Sequence, residues 1–176
     1  MDKVDNILKQ TQYMNTTVVD FQKFFTPSKS KSKFNLNETI RSLIGLVKAD
    51  YVHSNIVLNL EENDEVWVEG YPNEYNQVIL SILQNAKEAF VSNPSEKMKV
   101  HIQISNDEGV SHVRIIDNAG GIPSSLLPKI FDQYETNKDH GSGLGLYIAK
   151  SVIEKNMGGK VWAENSQEGA VFHIVV

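Results

Sequence analysis

Hydrophobic residues in the first 25 positions recur at alternating spacings of three and four, which is the pattern of a helix that packs against another helix. The stripe is formed by Val4, Ile7, Leu8, Thr11, Met14, Val18, Val19, Phe21, Phe24 and Phe25. A stripe of about three heptads cannot be buried by one helix alone, so it predicts a partner helix. The alternative is an amphipathic helix that lies on the chain's own globular domain.

Residues 26–33 interrupt this pattern. Pro27 disfavours helix in the residue before it, and the Ser/Lys repeat that follows has no side chain to bury. The sequence therefore predicts a helix over 1–26, a linker over 27–33 and a globular domain over 34–176.

Three helices are predicted, two of them within the first sixty residues of the globular domain. Asn37 is the predicted N-cap of the first, whose buried face would be Ile40, Leu43, Ile44, Val47 and Tyr51. The second follows Tyr71-Pro72-Asn73, and its buried face would be Tyr75, Val78, Ile79, Ile82, Leu83, Ala86 and Phe90. A third helix is predicted from about Leu144 to Asn156, ended by Gly158 and Gly159.

Strand-like runs cover 56–60, 66–68, 100–104, 110–117, 161–163 and 170–176. The Asn106-Asp107-Glu108-Gly109 segment is typical of a hairpin turn. Helices and hairpins share the chain without strict βαβ alternation. This arrangement favours an α/β fold with a layer of helices on one face of a mixed sheet.

Composition narrows the function classes. The chain has 176 residues, a net charge of −5 and no cysteine, which excludes a disulfide scaffold, a thiolate metal site and a cysteine nucleophile. No apolar run is long enough to span a membrane and no signal peptide is recognisable, so we expect a cytoplasmic domain, either separate or part of a membrane-bound receptor. The acidic balance argues against a nucleic-acid partner.

Charge and glycine are both unevenly distributed. Residues 1–33 carry six lysines and three aspartates, whereas residues 34–176 carry eleven basic and nineteen acidic residues. Eight of the eleven glycines lie between Gly120 and Gly169. The first asymmetry indicates a separate N-terminal element, and the second indicates a site built from loops in the C-terminal half.

A polar line follows the second predicted helix beside its apolar face. Ser81, Asn85 and Glu88 lie at helical spacing. A polar side chain at the edge of a buried face needs a partner, because an unpaired buried amide costs about 1–3 kcal/mol. Asn85 is therefore a candidate binding residue, and the alternative is an asparagine on the surface of an amphipathic helix.

Asp117 ends a predicted strand, and Gly120 and Gly121 follow it. Glycines allow the backbone to approach a ligand closely. A carboxylate fixed at this point could accept a hydrogen bond from an exocyclic amine such as that of adenine. The alternative is an ordinary turn aspartate.

The Gly141-Ser142-Gly143-Leu144-Gly145 segment leads directly into a helix. Exposed backbone N–H groups and the partial positive charge of a helix N-terminus suit phosphate. The segment has neither the Lys-Ser/Thr of a Walker A loop nor the preceding strand of a Rossmann fingerprint. The alternative is a flexible loop.

The chain resembles the GHKL ATP-binding superfamily, most closely the catalytic domain of two-component sensor histidine kinases. The resemblance lies in the order of three motifs, which are the asparagine helix, the Asp-x-x-x-Gly turn and the Gly-x-Gly-x-Gly helix. The resemblance covers about residues 34–174. It implies a two-layer α/β sandwich (the Bergerat fold), with a mixed five-stranded sheet covered by about three helices and preceded by one bundle helix. Residues 1–26 are similar to the second helix of the family's dimerisation and phosphoacceptor hairpin.

The resemblance also implies roles for individual residues. Asn85 matches the asparagine that coordinates Mg²⁺, and Asp117 matches the aspartate that binds the adenine amino group. Residues 130–134 resemble the F box, and residues 169–172 resemble the closing motif before the last strand. The implied nucleotide-binding residues are Asn85, Asp117, Gly121, Ile122, Lys138, Gly141, Ser142, Gly143, Leu144 and Gly145.

Three positions depart from the family pattern. Ala119 replaces a frequent glycine, which is a mild change. Glu135 replaces a second aromatic residue that often anchors the mobile lid, so we expect a less firmly seated lid. Ser81 stands where hydrolysing relatives such as gyrase carry a glutamate general base, which disfavours hydrolysis as the main activity.

None of the five histidines matches a family phosphoacceptor. These histidines are His53, His101, His112, His140 and His173. The resemblance therefore implies the ATP-binding part of a longer kinase, or a naturally truncated kinase, that phosphorylates a histidine outside this chain. The expected cofactors are ATP and Mg²⁺, and the expected partners are the missing phosphoacceptor hairpin, a response regulator and a second copy in the full-length protein.

Two other functions stay open at this point. One is a GHKL ATPase or serine kinase that acts on a protein partner. The other is a non-catalytic nucleotide-sensing or dimerisation module.

Overall fold

The computed structural model describes residue 26, residues 30–135 and residues 143–176. The predicted helix over 1–26 lies outside the described residues except for Thr26. Four residues singled out in the sequence also lie outside them, namely Lys138, His140, Gly141 and Ser142.

The main sheet of the described residues has five strands. They are β2 (Ile56–Glu62), β4 (Met98–Asp107), β5 (Val110–Asp117), β6 (Lys160–Asn165) and β7 (Ala170–Val175). Their order across the sheet is β2-β4-β5-β7-β6, with β2 parallel to β4 and all other pairs antiparallel. The prediction of a mixed five-stranded sheet is confirmed.

Within residues 30–135 and 143–176, three helices cover one face of this sheet, as the sequence predicts. They are α1 (Leu36–His53), α2 (Pro72–Ser92) and α3 (Gly145–Ser151), the last continuing as a π-helical turn over Val152–Asn156. A short 3₁₀ turn spans Leu127–Lys129. Alternate strand residues such as Ile102, Ile115 and Ile174 are fully buried against the helices, since burial of apolar surface drives this packing.

A second, two-stranded sheet differs from the prediction. Strand β1 (Ser32–Asn35) pairs antiparallel with β3 (Trp67–Gly70). Ser32 and Lys33 belong to this strand, although their sequence resembles a linker. The pairing with Gly70 and Glu69, 38 and 36 residues further along the chain, satisfies their backbone groups, which local composition cannot reveal.

The N-cap of α1 is Asn35, and the prediction of Asn37 is wrong. The Asn35 side chain accepts a hydrogen bond from the Glu38 backbone N–H at 3.0 Å. The Asn37 side chain is buried and binds the connection between β2 and β3 instead, accepting from Val66 N–H at 2.9 Å. Asn35 thus caps the helix, and Asn37, two residues later, anchors the loop between β2 and β3.

The outer face of the main sheet carries three of the five histidines. His173 stacks on Trp162 with ring centroids 4.7 Å apart, and its Nδ1 lies 3.1 Å from Nε2 of His112. His101 lies against Glu61. These histidines therefore pack on the outer face of the sheet, where His173 is buried. Within the described residues, no helix is long and apolar enough to cross a membrane.

Candidate functional site

Asp117 ends β5 and is held by backbone groups on both sides. Its Oδ1 accepts hydrogen bonds from Ala119 N–H at 2.9 Å and from Ala170 N–H at 3.1 Å. Within the described residues, Oδ2 accepts no hydrogen bond. Asp117 thus presents one fixed and one unused carboxylate oxygen.

Residue Asp117 is only 5% exposed. Burial raises its pKa, and the backbone hydrogen bonds from Ala119 and Ala170 offset part of this shift. A buried carboxylate with an unused oxygen is a strong hydrogen-bond acceptor for a ligand, because the dry surroundings strengthen electrostatic interactions.

The Asp117 carboxyl group occupies space that a side chain at residue 169 would otherwise fill. A Cβ atom at Gly169 would lie 2.5 Å from Oδ1 of Asp117 and even closer to its backbone oxygen. The β6–β7 turn can approach Asp117 only because residue 169 has no side chain. The motif over 169–172 therefore shapes the aspartate site from the neighbouring hairpin.

The turn after Asp117 is built on two glycines with positive φ. Gly120 has φ +85° and Gly121 has φ +82°, a region that favours glycine. Ala119, by contrast, is not among the residues with positive φ and is buried, so the departure from the family glycine is accommodated. Gly120 N–H also donates to the Glu168 carbonyl at 3.0 Å.

Helix α2 connects the parts of the candidate site. Near the middle of α2, a Cβ on Gly145 at the start of α3 would lie 2.6 Å from Oγ of Ser81. At the C-terminal end of α2, a Cβ on Gly120 would lie 3.9 Å from the side chain of Asn93. Ser81 and Asn93 are about 18 Å apart along the helix, and Asn85 lies between them. Asn85 is therefore flanked by the glycine turn and by the N-terminus of α3.

The residues on the two sides of the undescribed segment 136–142 meet each other. Tyr134 N–H donates to the Gly143 carbonyl at 3.2 Å, and both residues have positive φ. Glu135, which replaces an aromatic residue of the family pattern, forms an ion pair with Lys129 at 2.9 Å. Phe131 packs edge-on against Phe172, with ring centroids 6.3 Å apart. The expectation of a less firmly seated lid stays a prediction.

Asn85 fits a magnesium ion by the chemistry of its donor atom. Among the described residues, no group of three or more His, Cys, Asp or Glu side chains is arranged to hold a metal ion. Magnesium bound with nucleotides commonly takes one or two protein oxygens, with phosphates and water completing its octahedron. The single amide oxygen of Asn85 is compatible with that mode and not with an all-protein metal cage.

Two asparagines that the sequence analysis does not identify anchor the turn. Asn118 accepts from Lys99 N–H at 2.8 Å and donates to the Lys97 carbonyl at 2.7 Å. Asn165, at the end of β6, binds the backbone of Ile122 in the same reciprocal way. The available signal is an asparagine at a strand end, but its partners lie 19 to 43 residues away.

Comparison with known protein families supports one assignment. The model of the family described as "Histidine kinase-, DNA gyrase B-, and HSP90-like ATPase" matches residues 70–176. The two-component sensor PprA of Pseudomonas aeruginosa is 36% identical over 109 residues, which are 60% of this chain and 12% of that protein. Sporulation kinase A of Bacillus subtilis is 28% identical over 145 residues, which are 82% of this chain and 23% of that protein. The chain thus spans less than a quarter of these two relatives.

Solved structures give the same result. The catalytic domain of histidine kinase ThkA has a TM-score of 0.74 at 32% identity, covering 84% of this chain and 95% of that domain. The structure of ThkA in complex with the response regulator TrrA has a TM-score of 0.70 at 29% identity, covering 98% of this chain and 49% of ThkA. Since the family model also matches more than half of the sequence, this chain belongs to the histidine kinase-, DNA gyrase B- and HSP90-like ATPase family and has the Bergerat fold of a histidine kinase catalytic domain.

Proposed function

We propose that this chain is the ATP-binding catalytic domain of a sensor histidine kinase and transfers the γ-phosphate of ATP to a histidine outside this sequence, for relay to a response regulator. The observation that carries the proposal is Asp117, a buried carboxylate with one oxygen fixed by backbone N–H groups and the other unused. Its position beside Gly120 and Gly121 suits recognition of an exocyclic amine on a flat base.

Different residues bind the base and the phosphates of the nucleotide. Asp117 accepts a hydrogen bond from the adenine amino group, and the Gly121–Ile122 backbone lies next to the base. The glycine-rich segment with Gly141, Ser142, Gly143, Leu144 and Gly145 supplies backbone N–H groups for the phosphates. The side chain of Lys138 reaches a phosphate. Catalysis of phosphoryl transfer is then mainly positioning and electrostatic stabilisation.

A magnesium ion on Asn85 would neutralise charge on the phosphate oxygens. The amide oxygen of Asn85 fixes the position of that charge along α2, between the glycine turn and the N-terminus of α3. The acidic domain needs such a local device, because its net charge repels a triphosphate.

Residues 4–25 and the relative ThkA suggest the partners. The apolar stripe of residues 4–25 is suited to a helical bundle in which two copies of the full-length protein dimerise. ThkA has been solved with the response regulator TrrA, and we propose a response-regulator receiver domain as a partner here.

Ser81 argues against hydrolysis as the main activity. In the structure Ser81 is half-buried, and its Oγ faces the backbone of Gly145. A serine hydroxyl at this packing contact cannot take a proton from water as the glutamate general base of hydrolysing relatives does. This favours transfer to an external nucleophile over an ATPase.

Replacing Asn85 by alanine is expected to lower the affinity for ATP in the presence of Mg²⁺ by about tenfold or more, because charge-assisted contacts contribute about 1.5–3 kcal/mol. With EDTA in place of Mg²⁺, the parent and Asn85→Ala should bind ATP equally. Calorimetric titration measures both affinities. Asn59→Ala, on the exposed face of β2, is the matched control and should behave as the parent.

The activity itself is tested by adding γ-³²P-ATP, Mg²⁺ and a separately expressed phosphoacceptor hairpin. We expect label on a histidine of the hairpin, stable to alkali and labile to acid. A parent chain that binds no ATP contradicts the proposed function, and tight ATP binding with no transfer to any tested hairpin favours the nucleotide-sensing module. Steady phosphate release that is lost in Ser81→Ala would favour an ATPase.

A further inference from the structure

Asn165 forms a reciprocal pair of hydrogen bonds with the backbone of the turn after Asp117. Its Oδ1 accepts from Ile122 N–H at 2.8 Å, and its Nδ2 donates to the Ile122 carbonyl at 2.8 Å. One side-chain amide thus binds both polar groups of a residue that lies 43 positions earlier in the sequence. The two hydrogen bonds resemble those that a residue of a neighbouring strand would form with the backbone of Ile122.

The amide of Asn165 also fills the space beside Gly121. A Cβ on Gly121 would lie 2.8 Å from Oδ1 of Asn165, so the glycine permits this approach. Gly121 has φ +82°, a conformation that a glycine leaves easily unless its neighbours hold it. The contact therefore restrains a backbone segment that has little intrinsic stiffness.

The remaining contacts hold only the first part of the turn. Asp117 is tied to Ala170, and Gly120 N–H donates to the Glu168 carbonyl. Within the described residues, Asn165 is the only residue that hydrogen-bonds to Gly121 or Ile122. Loss of its amide would free this segment while leaving the Asp117 contacts in place.

We propose that Asn165 is a positioning residue for base recognition, which fixes the Gly121–Ile122 backbone relative to Asp117 so that a purine with an exocyclic amine is selected. The proposal rests on the proposed function, because it needs a nucleotide at Asp117. A purine held loosely by Gly121 and Ile122 can tilt, and the directional hydrogen bond to the Asp117 carboxylate is lost before the phosphate contacts are affected.

The test compares ATP with ITP, whose base carries a carbonyl in place of the amine. Asn165→Ala is expected to weaken ATP binding about fivefold to tenfold and ITP binding less than about twofold, because one or two hydrogen bonds have this value. The change in the ATP-to-ITP preference is the readout that a merely structural role would not produce. The full chain is titrated with each nucleotide and Mg²⁺ below the melting temperature of every variant.

Asn106→Ala is the matched control. Asn106 is also an exposed asparagine that caps a hairpin, accepting from Gly109 N–H at 2.9 Å at the other end of β5. Its replacement should leave both affinities unchanged. Asn165→Asp provides a second variant of equal size, which retains an acceptor for Ile122 N–H and loses the donor to the carbonyl. It should lower the ATP-to-ITP preference in the same direction, and it decides the question if Asn165→Ala does not fold.

The outcomes separate this inference from the proposed function. If the parent binds ATP and Asn165→Ala binds it equally well, the positioning role is wrong and the proposed function stands. Equal losses for ATP and ITP would assign Asn165 a structural role only, which also overturns the inference. A parent that binds neither nucleotide overturns both proposals.

Discussion

Replacing Asp117 by asparagine is expected to lower the affinity for ATP by about 30- to 100-fold while leaving the melting temperature unchanged or higher. The lost interaction is a charge-assisted hydrogen bond, with a value of about 1.5–3 kcal/mol. The asparagine amide would in addition turn a donor toward the donor on adenine. The oxygen of the new amide can still accept from Ala119 and Ala170 N–H, so the turn keeps its shape.

The expected effect on stability follows from the direction of the pKa shift. Burial raises the pKa of Asp117 above its value in the unfolded chain, so the folded state takes up this proton more readily than the unfolded state. The resulting contribution to stability is present below the unfolded pKa and is lost as pH rises through the folded pKa. At neutral pH the buried carboxylate therefore costs stability, and the neutral amide removes that cost.

Calorimetric titration and thermal unfolding at neutral pH check the two parts of this prediction. Asp107→Asn, at an exposed position at the end of β4, is the control and should change neither measurement. If Asp117→Asn binds ATP as tightly as the parent, the adenine assignment is wrong. If it loses affinity only because it unfolds, the melting temperature will fall, which contradicts the stability argument.

A pH titration gives an independent check on the same group. In the parent, ATP affinity should fall as pH drops through the raised pKa of Asp117, because protonation would remove the charge proposed to bind the adenine amine. In Asp117→Asn this part of the pH dependence should be absent. The difference between the two pH profiles isolates Asp117 from titration of the nucleotide itself, which is common to both.

The fold could be predicted where a local period decides the structure. The apolar faces of α1 and α2 and the alternation of β4 and β5 predict the helices and the main sheet. Strand β1 could not be predicted, because Ser32 and Lys33 form a strand only through their pairing with Gly70 and Glu69. The N-cap of α1 also depends on a tertiary contact. The Asn37 side chain accepts a hydrogen bond from Val66 N–H, so Asn35 caps the helix instead.

In the candidate site, too, some residues could be predicted from the sequence and others depend on tertiary contacts. Asp117, Asn85 and the glycines are recognisable because residue type and spacing carry their chemistry. Asn118 and Asn165 could not be predicted, because each acts on backbone that folding brings close, and an asparagine at a strand end is common in turns. The contact between Ser81 and Gly145 also depends on the packing of α3 on α2. The sequence therefore predicts which groups would meet a ligand, and the structure adds the groups that hold them.

Replacing Gly169 by alanine is expected to destabilise the fold by about 2–3 kcal/mol, which corresponds to a fall of roughly 5–10 °C in the melting temperature. The new methyl group would occupy the space of the Asp117 backbone oxygen, so either β5 or the β6–β7 turn must shift. The conformation of residue 169 is not the obstacle, because its φ lies outside the positive region. ATP affinity should fall together with stability, since the shift displaces Asp117.

Gly45→Ala is the matched control, because the same change is made where space is open. Gly45 lies in α1, and a Cβ there would meet no atom within 4 Å. Alanine is more favourable than glycine inside a helix by roughly 0.5–1 kcal/mol, so this variant should unfold at a slightly higher temperature and bind ATP normally. If Gly169→Ala instead behaves like Gly45→Ala, residue 169 is not packed against Asp117. Opposite signs for one substitution at two glycines would show that the aspartate site depends on the absence of a single methyl group.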